Sequence, residues 1–144
     1  MFSASVIGPE LVQAYLETHY HVHGDAPVTL KVGEPNALLA ALHADAGVQC
    51  SAFITAWNPF SQPAGEDASV NARRQQALAR ELAQAGLRFV EGIGQHPSDQ
   101  WPGEASFLVL GLTLDAAKAL GTRHEQNAII WSGADAVPQL ILLR

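Results

Sequence analysis

Three histidines alternate along one short stretch, His19-x-His21-x-His23. In an extended strand they share a face, and three imidazoles at that spacing suit a transition metal such as zinc. No carboxylate is placed beside them, so they read as the solvent face of an outer hairpin, and no metal is expected. A second group is rich in amides: Asn58, Asn71, Gln126 and Asn127, with Arg74, Glu104, Trp57 and Trp101 in neighbouring segments. Amides and one guanidinium present donors and acceptors to a polar or anionic small molecule. Glu34 and Glu104 are the carboxylates available as an acid–base pair, and Cys50, Ser61 and Ser106 the available nucleophiles. The two serines lack a strand–Gly-x-Ser-x-Gly–helix setting, and Cys50 sits at the mouth of an apolar run, as a packed thiol would. Gly92-x-Gly94 lacks the third glycine of a dinucleotide fingerprint and is followed by a proline-bearing loop. No cofactor is expected.

These residues depend on the elements that carry them. Pro9 opens a helix with Leu11, Val12, Tyr15 and Leu16 on one stripe, ending near Thr18. Tyr20 and Val22, then Val28, Leu30 and Val32, alternate as a hairpin around Gly24-Asp25-Ala26-Pro27. Asn36 caps a helix stopped by Gly47. Ser51 to Trp57 is a strand with almost no polar interruption, hence buried on both faces. After a Pro/Ser/Gly/Asp loop, Ser69 caps a helix with Leu78, Leu82 and Ala85 inward and Gly86 at its stop. Leu87–Ile93 and Phe107–Leu110 read as strands flanking a second long loop. Thr113 then caps a short helix, and Ala128–Trp131 and Leu140–Leu143 are the last two strands.

Crossover helices leave the strands near Val28, Phe53 and Phe89 pointing one way. The helix-free link from Ile93 sends the strand at Phe107 back antiparallel, and the strand at Ile129 follows it. The expected fold is therefore α/β (α+β): a single domain over residues 1–144, with a mixed sheet of six or seven strands and about four helices. It brings Gly33-Glu34, Trp57-Asn58-Pro59, Gly92–Gly94, Trp101, Glu104 and Gln126-Asn127 to one edge. The amino ends of the helices near Asn36 and Val70 point at the same edge.

The chain has 144 residues, 48% of them hydrophobic and 15% charged, which is ordinary for one self-sufficient domain. Eight basic against 14 acidic residues give a net charge of −6, which removes the broad positive field that nucleic acid or an anionic membrane surface requires. A lone cysteine, no apolar run long enough to span a bilayer, and a start without a basic n-region point to the cytoplasm. The oligomeric state is not legible.

The residues Tyr15-x-x-Thr18-x-Tyr20, Thr55-Ala56-Trp57-Asn58-Pro59 with Ser61, Asn71, Trp101 with Glu104 and Ser106, and Gln126-Asn127-Ala128-Ile129 together resemble a bacterial family known as domain of unknown function 3293. The resemblance covers nearly the whole chain and implies no activity, cofactor or catalytic residue. Two functions stay open: a small-molecule site at the amide-rich edge, catalytic or merely binding, and a non-catalytic protein–protein interaction module in which the same amides lock loops together.

Overall fold

The computed structural model describes residues 7–58, 67–98 and 103–144. Along the chain run α1 (Pro9–Glu17), β1 (His19–Val22), β2 (Val28–Leu30), α2 (Ala37–Ala46), β3 (Ser51–Ile54), α3 (Ala68–Gln84), β4 (Arg88–Gln95), β5 (Glu104–Leu110), α4 (Leu114–Arg123), β6 (Ala128–Ser132) and β7 (Pro138–Leu142). The seven strands form one sheet in the order β2-β1-β4-β5-β3-β6-β7. β2, β3 and β4 share one direction, and β5 and β6 run the other way, as the sequence predicts. The order interleaves the two directions, so every adjacent pair is antiparallel, where a mixed sheet was expected. The helices connect strands that are not neighbours, so no parallel pair forms.

β3 lies between β5 and β6 and is buried along its whole length. Its alternation explains the apolar run: Ala52 and Ile54 join Leu78, Leu82, Phe107, Val109 and Leu120 under α3 and α4. Phe53 joins Tyr20, Val22, Leu30, Leu39, Leu108 and Ile130 on the face covered by α2. Burying one such leucine contributes about 1.5–3 kcal/mol relative to leaving it exposed, so two covered faces make this strand the structural axis.

Local signals set most boundaries. Asn36 accepts from the Leu39 N–H at 2.9 Å, and Gly47 ends α2 in the left-handed region at φ 70°. Thr113 caps α4 as expected. α3 is capped by Asp67 and not by Ser69, whose backbone N–H donates to the Asp67 carboxylate at 2.7 Å. The ionised carboxylate is the stronger acceptor and sits one residue before the first helical position. β7 begins at Pro138, earlier than predicted, which an edge strand tolerates at its first residue.

The sheet twists until its ends meet. The Gly33 N–H reaches the Pro138 carbonyl at 2.8 Å and the Asn36 N–H reaches Ala136 at 3.1 Å. Right-handed twist accumulates over seven strands. It carries Gly33-Glu34 and the amino end of α2 to the Ala136–Pro138 turn, away from the edge where the sequence reading placed them. Among the described residues no helix is long and apolar enough to cross a membrane.

Candidate functional site

The chain leaves β3 through Thr55, Ala56, Trp57 and Asn58, and each of these is tied down. The Thr55 hydroxyl donates to the Ala105 carbonyl at 2.7 Å and accepts the Trp57 N–H at 2.9 Å. The Ala56 N–H donates to Gln75 Oε1 at 3.0 Å. Asn58 adopts φ 46°, a left-handed conformation that asparagine tolerates better than most residues, and its N–H donates to Asn71 Oδ1 at 2.8 Å. From the other side, Gln126 Nε2 donates to the Trp57 carbonyl at 3.3 Å and to His124 O at 3.2 Å.

The Asn58 side chain in turn hydrogen-bonds the carboxyl of Glu104, the first residue of β5. Burial pushes the Glu104 carboxyl up to about 7, and the bond from Asn58 opposes that rise only in part. Asn71, Asn58 and Glu104 thus form a chain of contacts from the first turn of α3 to the start of β5. Gly94 stands opposite Glu104 on β4 and opposite Tyr20 on β1. Tyr20 donates to the Tyr15 carbonyl at 2.7 Å, and burial raises its phenol well above the ordinary range. At neutral pH this corner therefore holds a neutral phenol beside a carboxyl poised between its two protonation states.

Trp57, Asn58, Asn71, Glu104 and Gln126 are brought together at one edge. Asn127 is adjacent in sequence, but its Oδ1 accepts from Arg144 Nη1 at 3.2 Å, so it serves the carboxyl end of the chain. Arg74 borders a separate small cavity of about 140 Å³, shared with Ala56, Ala77, Arg123, His124 and Glu125. There Arg123 and His124 both bind Glu81. Trp101, Pro59 and Ser61 lie outside the described residues.

The other candidates separate by their contacts. His19 and His21 share a face, their rings edge to face at 6.0 Å, while His21 Nδ1 lies 2.9 Å from Thr29 Oγ1. Burial, reinforced by His19 and His23, lowers the His21 pKa. Among the described residues no three His, Cys, Asp or Glu side chains are arranged to hold a metal ion. The Ser106 hydroxyl donates to the Glu104 carbonyl at 2.9 Å, and half-buried Cys50 faces Leu112 O at 3.3 Å with its thiol pushed up by burial. Trp131 packs against the α3/α4 cluster with its Nε1–H on Leu112 O at 3.0 Å.

Sequence reasoning missed Gln75. It extends the inward stripe of α3 as Asn71, Gln75, Leu78, Leu82, and a polar start to an otherwise apolar stripe was the available signal. Because the Ala56 N–H can only donate, the Gln75 atom facing it is the oxygen. The amide nitrogen at the other end is buried with no hydrogen-bond partner among the described residues. Gln75 also contributes to the wall of a cavity of about 270 Å³ between α3 and β4–β5, together with His23, Glu91, Ile93, Ala105 and Phe107.

Residues 54–129, just over half of the chain, match the model of a family described as Protein of unknown function (DUF3293). The matched span contains Trp57, Asn58, Asn71, Gln75, Glu104 and Gln126, and excludes Tyr20. No curated protein and no solved structure matches the chain.

Proposed function

The chain belongs to the DUF3293 family of proteins of unknown function, and we propose that it binds a polar small molecule at the sheet edge formed by the Thr55–Asn58 segment, Gln126 and Glu104. The observation that carries this reading is the Asn71–Asn58–Glu104 chain of contacts. It spends a left-handed residue and a buried amide on one partly buried carboxyl, which burial raises to about 7 against the opposing bond from Asn58. Backbone in a sparsely populated conformation and a desolvated carboxyl with a dedicated partner are features that cluster at binding and catalytic sites. In its neutral form Glu104 donates to a ligand oxygen; ionised, it accepts from a ligand N–H or O–H. A group that titrates near 7 can also exchange a proton with what it binds.

The competing reading, an interaction module with a structural amide cluster, draws on the local pairing of Asn71 and Gln126. That pairing accounts for Asn71 and Gln126 and does not call for a carboxyl raised to about 7 at the end of the contact chain. We place the protein in a bacterial cytoplasm, on the strength of its family resemblance and its lone unpaired cysteine. With a net charge of −6 it has no broad positive field for nucleic acid.

The test is thermal shift of the native chain against nucleotides, sugar phosphates and amino acids. A ligand at about 100 times its Kd adds about 2.7 kcal/mol to the folded state. The reading expects a stabilising compound whose effect is lost in a folded Glu104→Gln variant. A shift that survives Glu104→Gln unchanged, or no shift with any class, counts against it.

A further inference from the structure

We infer that Ser98, His96 and Glu17 form a second reactive centre, in which Ser98 is a nucleophile toward small uncharged esters. His96 directly follows the last residue of β4, and its ring is only 9% exposed. One ring nitrogen, Nε2, lies 3.1 Å from Glu17 Oε1 on the last residue of α1. An ionised carboxylate can only accept, so Nε2 carries the proton, and in a neutral imidazole Nδ1 is then the acceptor. Ser98 Oγ lies 2.6 Å from Nδ1, and the Ser98 backbone N–H reaches the same nitrogen at 3.1 Å. The bond to His96 also holds the Glu17 carboxyl below its usual range, which keeps it ionised at neutral pH.

The order is carboxylate, imidazole, hydroxyl. This is the arrangement that activates a serine: a base within hydrogen-bond reach of the hydroxyl, oriented by a third group on its far side. Here the base uses Nδ1 and the orienting carboxylate holds Nε2. Ser98 is exposed while the imidazole is buried, so the nucleophile meets solvent and the base is held in place. The spacing His-x-Ser closes the pair within one turn. The carboxylate comes from a helix 79 residues away, which is why the sequence gives no sign of the trio.

The chemistry balances without a cofactor. Ser98 Oγ bonds to the ester carbonyl carbon as its proton passes to His96 Nδ1, and Glu17 stabilises the resulting imidazolium. The carbonyl carbon–alkoxy bond breaks, and the leaving oxygen takes the proton from Nδ1. Water then attacks the acyl-serine along the same proton path, releases the acid and restores Ser98. The half-exposed Glu17 carboxylate and the net charge of −6 disfavour anionic acyl donors, hence uncharged esters. This centre stands on its own contacts, whether or not the Glu104 edge takes a ligand.

The experiment treats the full chain with diisopropyl fluorophosphate, maps the adduct by mass spectrometry, and follows turnover of p-nitrophenyl acetate. One adduct on Ser98 is expected, absent in Ser98→Ala. Labelling should slow at least about tenfold in His96→Gln and in Glu17→Gln. Glu17→Gln is the safeguard should the buried His96 be needed for folding, because Glu17 is half exposed. An adduct on a different residue, labelling no faster than in Ser98→Ala, or a wild-type rate in folded Glu17→Gln would overturn the inference.

Discussion

Tyr20 and Glu104 flank the same glycine: Gly94 is the partner of Tyr20 across β1 and β4, and of Glu104 across β4 and β5. Side chains on neighbouring strands at one level point to one face. With no side chain between them, the carboxyl acts on the phenol, whose pKa is raised chiefly by burial and further by Glu104.

The first consequence is a pH dependence of stability. The Glu104 carboxyl goes from an ordinary 4.5 to about 7 on folding. A raised carboxyl pKa means that the folded state holds its proton more tightly, so this contribution is fully present below pH 4.5 and is lost as pH rises through about 7. It amounts to on the order of 3 kcal/mol at most. Urea unfolding at a series of pH values should show this slope in the wild type and a flatter one in Glu104→Gln.

His43 works in the opposite sense. It is 4% exposed on α2, its Nε2 lies 2.8 Å from the Ser51 hydroxyl, and burial lowers its pKa below the ordinary 6.5. The unfolded chain therefore takes up this proton more readily. The neutral His43 contributes its full share above pH 6.5, and that share is lost as pH falls below 6.5 through the depressed folded value. His43→Gln keeps a polar partner for Ser51 but does not titrate. The difference in unfolding free energy between wild type and variant should shift against the wild type from pH 7 to pH 5, and a constant difference would refute the assignment.

Asn71 and Asn58 are expected to respond differently to substitution. Asn71→Ala removes the acceptor of a backbone N–H in a part-buried setting and should cost about 1–3 kcal/mol. Asn71→Asp keeps the acceptor and should cost less. Asn58→Ala keeps the backbone bond but places a Cβ-bearing residue without a polar side chain at φ 46°. Asn58→Gly should therefore be more stable than Asn58→Ala by about 1 kcal/mol. Denaturant midpoints of the four variants report this directly.

Gly121 reverses the usual helix rule. In an exposed helix interior, glycine to alanine gains about 1 kcal/mol. A Cβ at Gly121 would stand 2.6 Å from a Leu143 methyl and 2.9 Å from an Ile129 methyl, where α4 packs on β6. Gly121→Ala is expected to destabilise by about 1–3 kcal/mol, and a neutral or stabilising result would show that the helix can shift away from the sheet.

Local chemistry was enough for most elements of the fold. Asn36, Gly47 and Thr113 mark helix ends through hydrogen bonds and backbone angles that reach only a few residues. The unbroken apolar run around Phe53 required a central strand, and its direction relative to Phe107 followed from the helix-free connection between β4 and β5. The cluster of Trp57, Asn58, Asn71, Glu104 and Gln126 followed from those directions. Lateral strand order did not, because a helix can carry the chain past one neighbour or several with the same local pattern. That order makes every pair antiparallel, and the twist accumulated across it takes Glu34 away from Glu104. The roles of the clustered side chains were also decided only in three dimensions. Asn127 turns to Arg144 and Asn71 to Asn58, Gln75 turns its amide oxygen to the Ala56 N–H, and Glu17 reaches His96 across 79 residues. Each of these depends on distances of about 3 Å between segments remote in sequence, and a one-dimensional pattern carries no information at that scale.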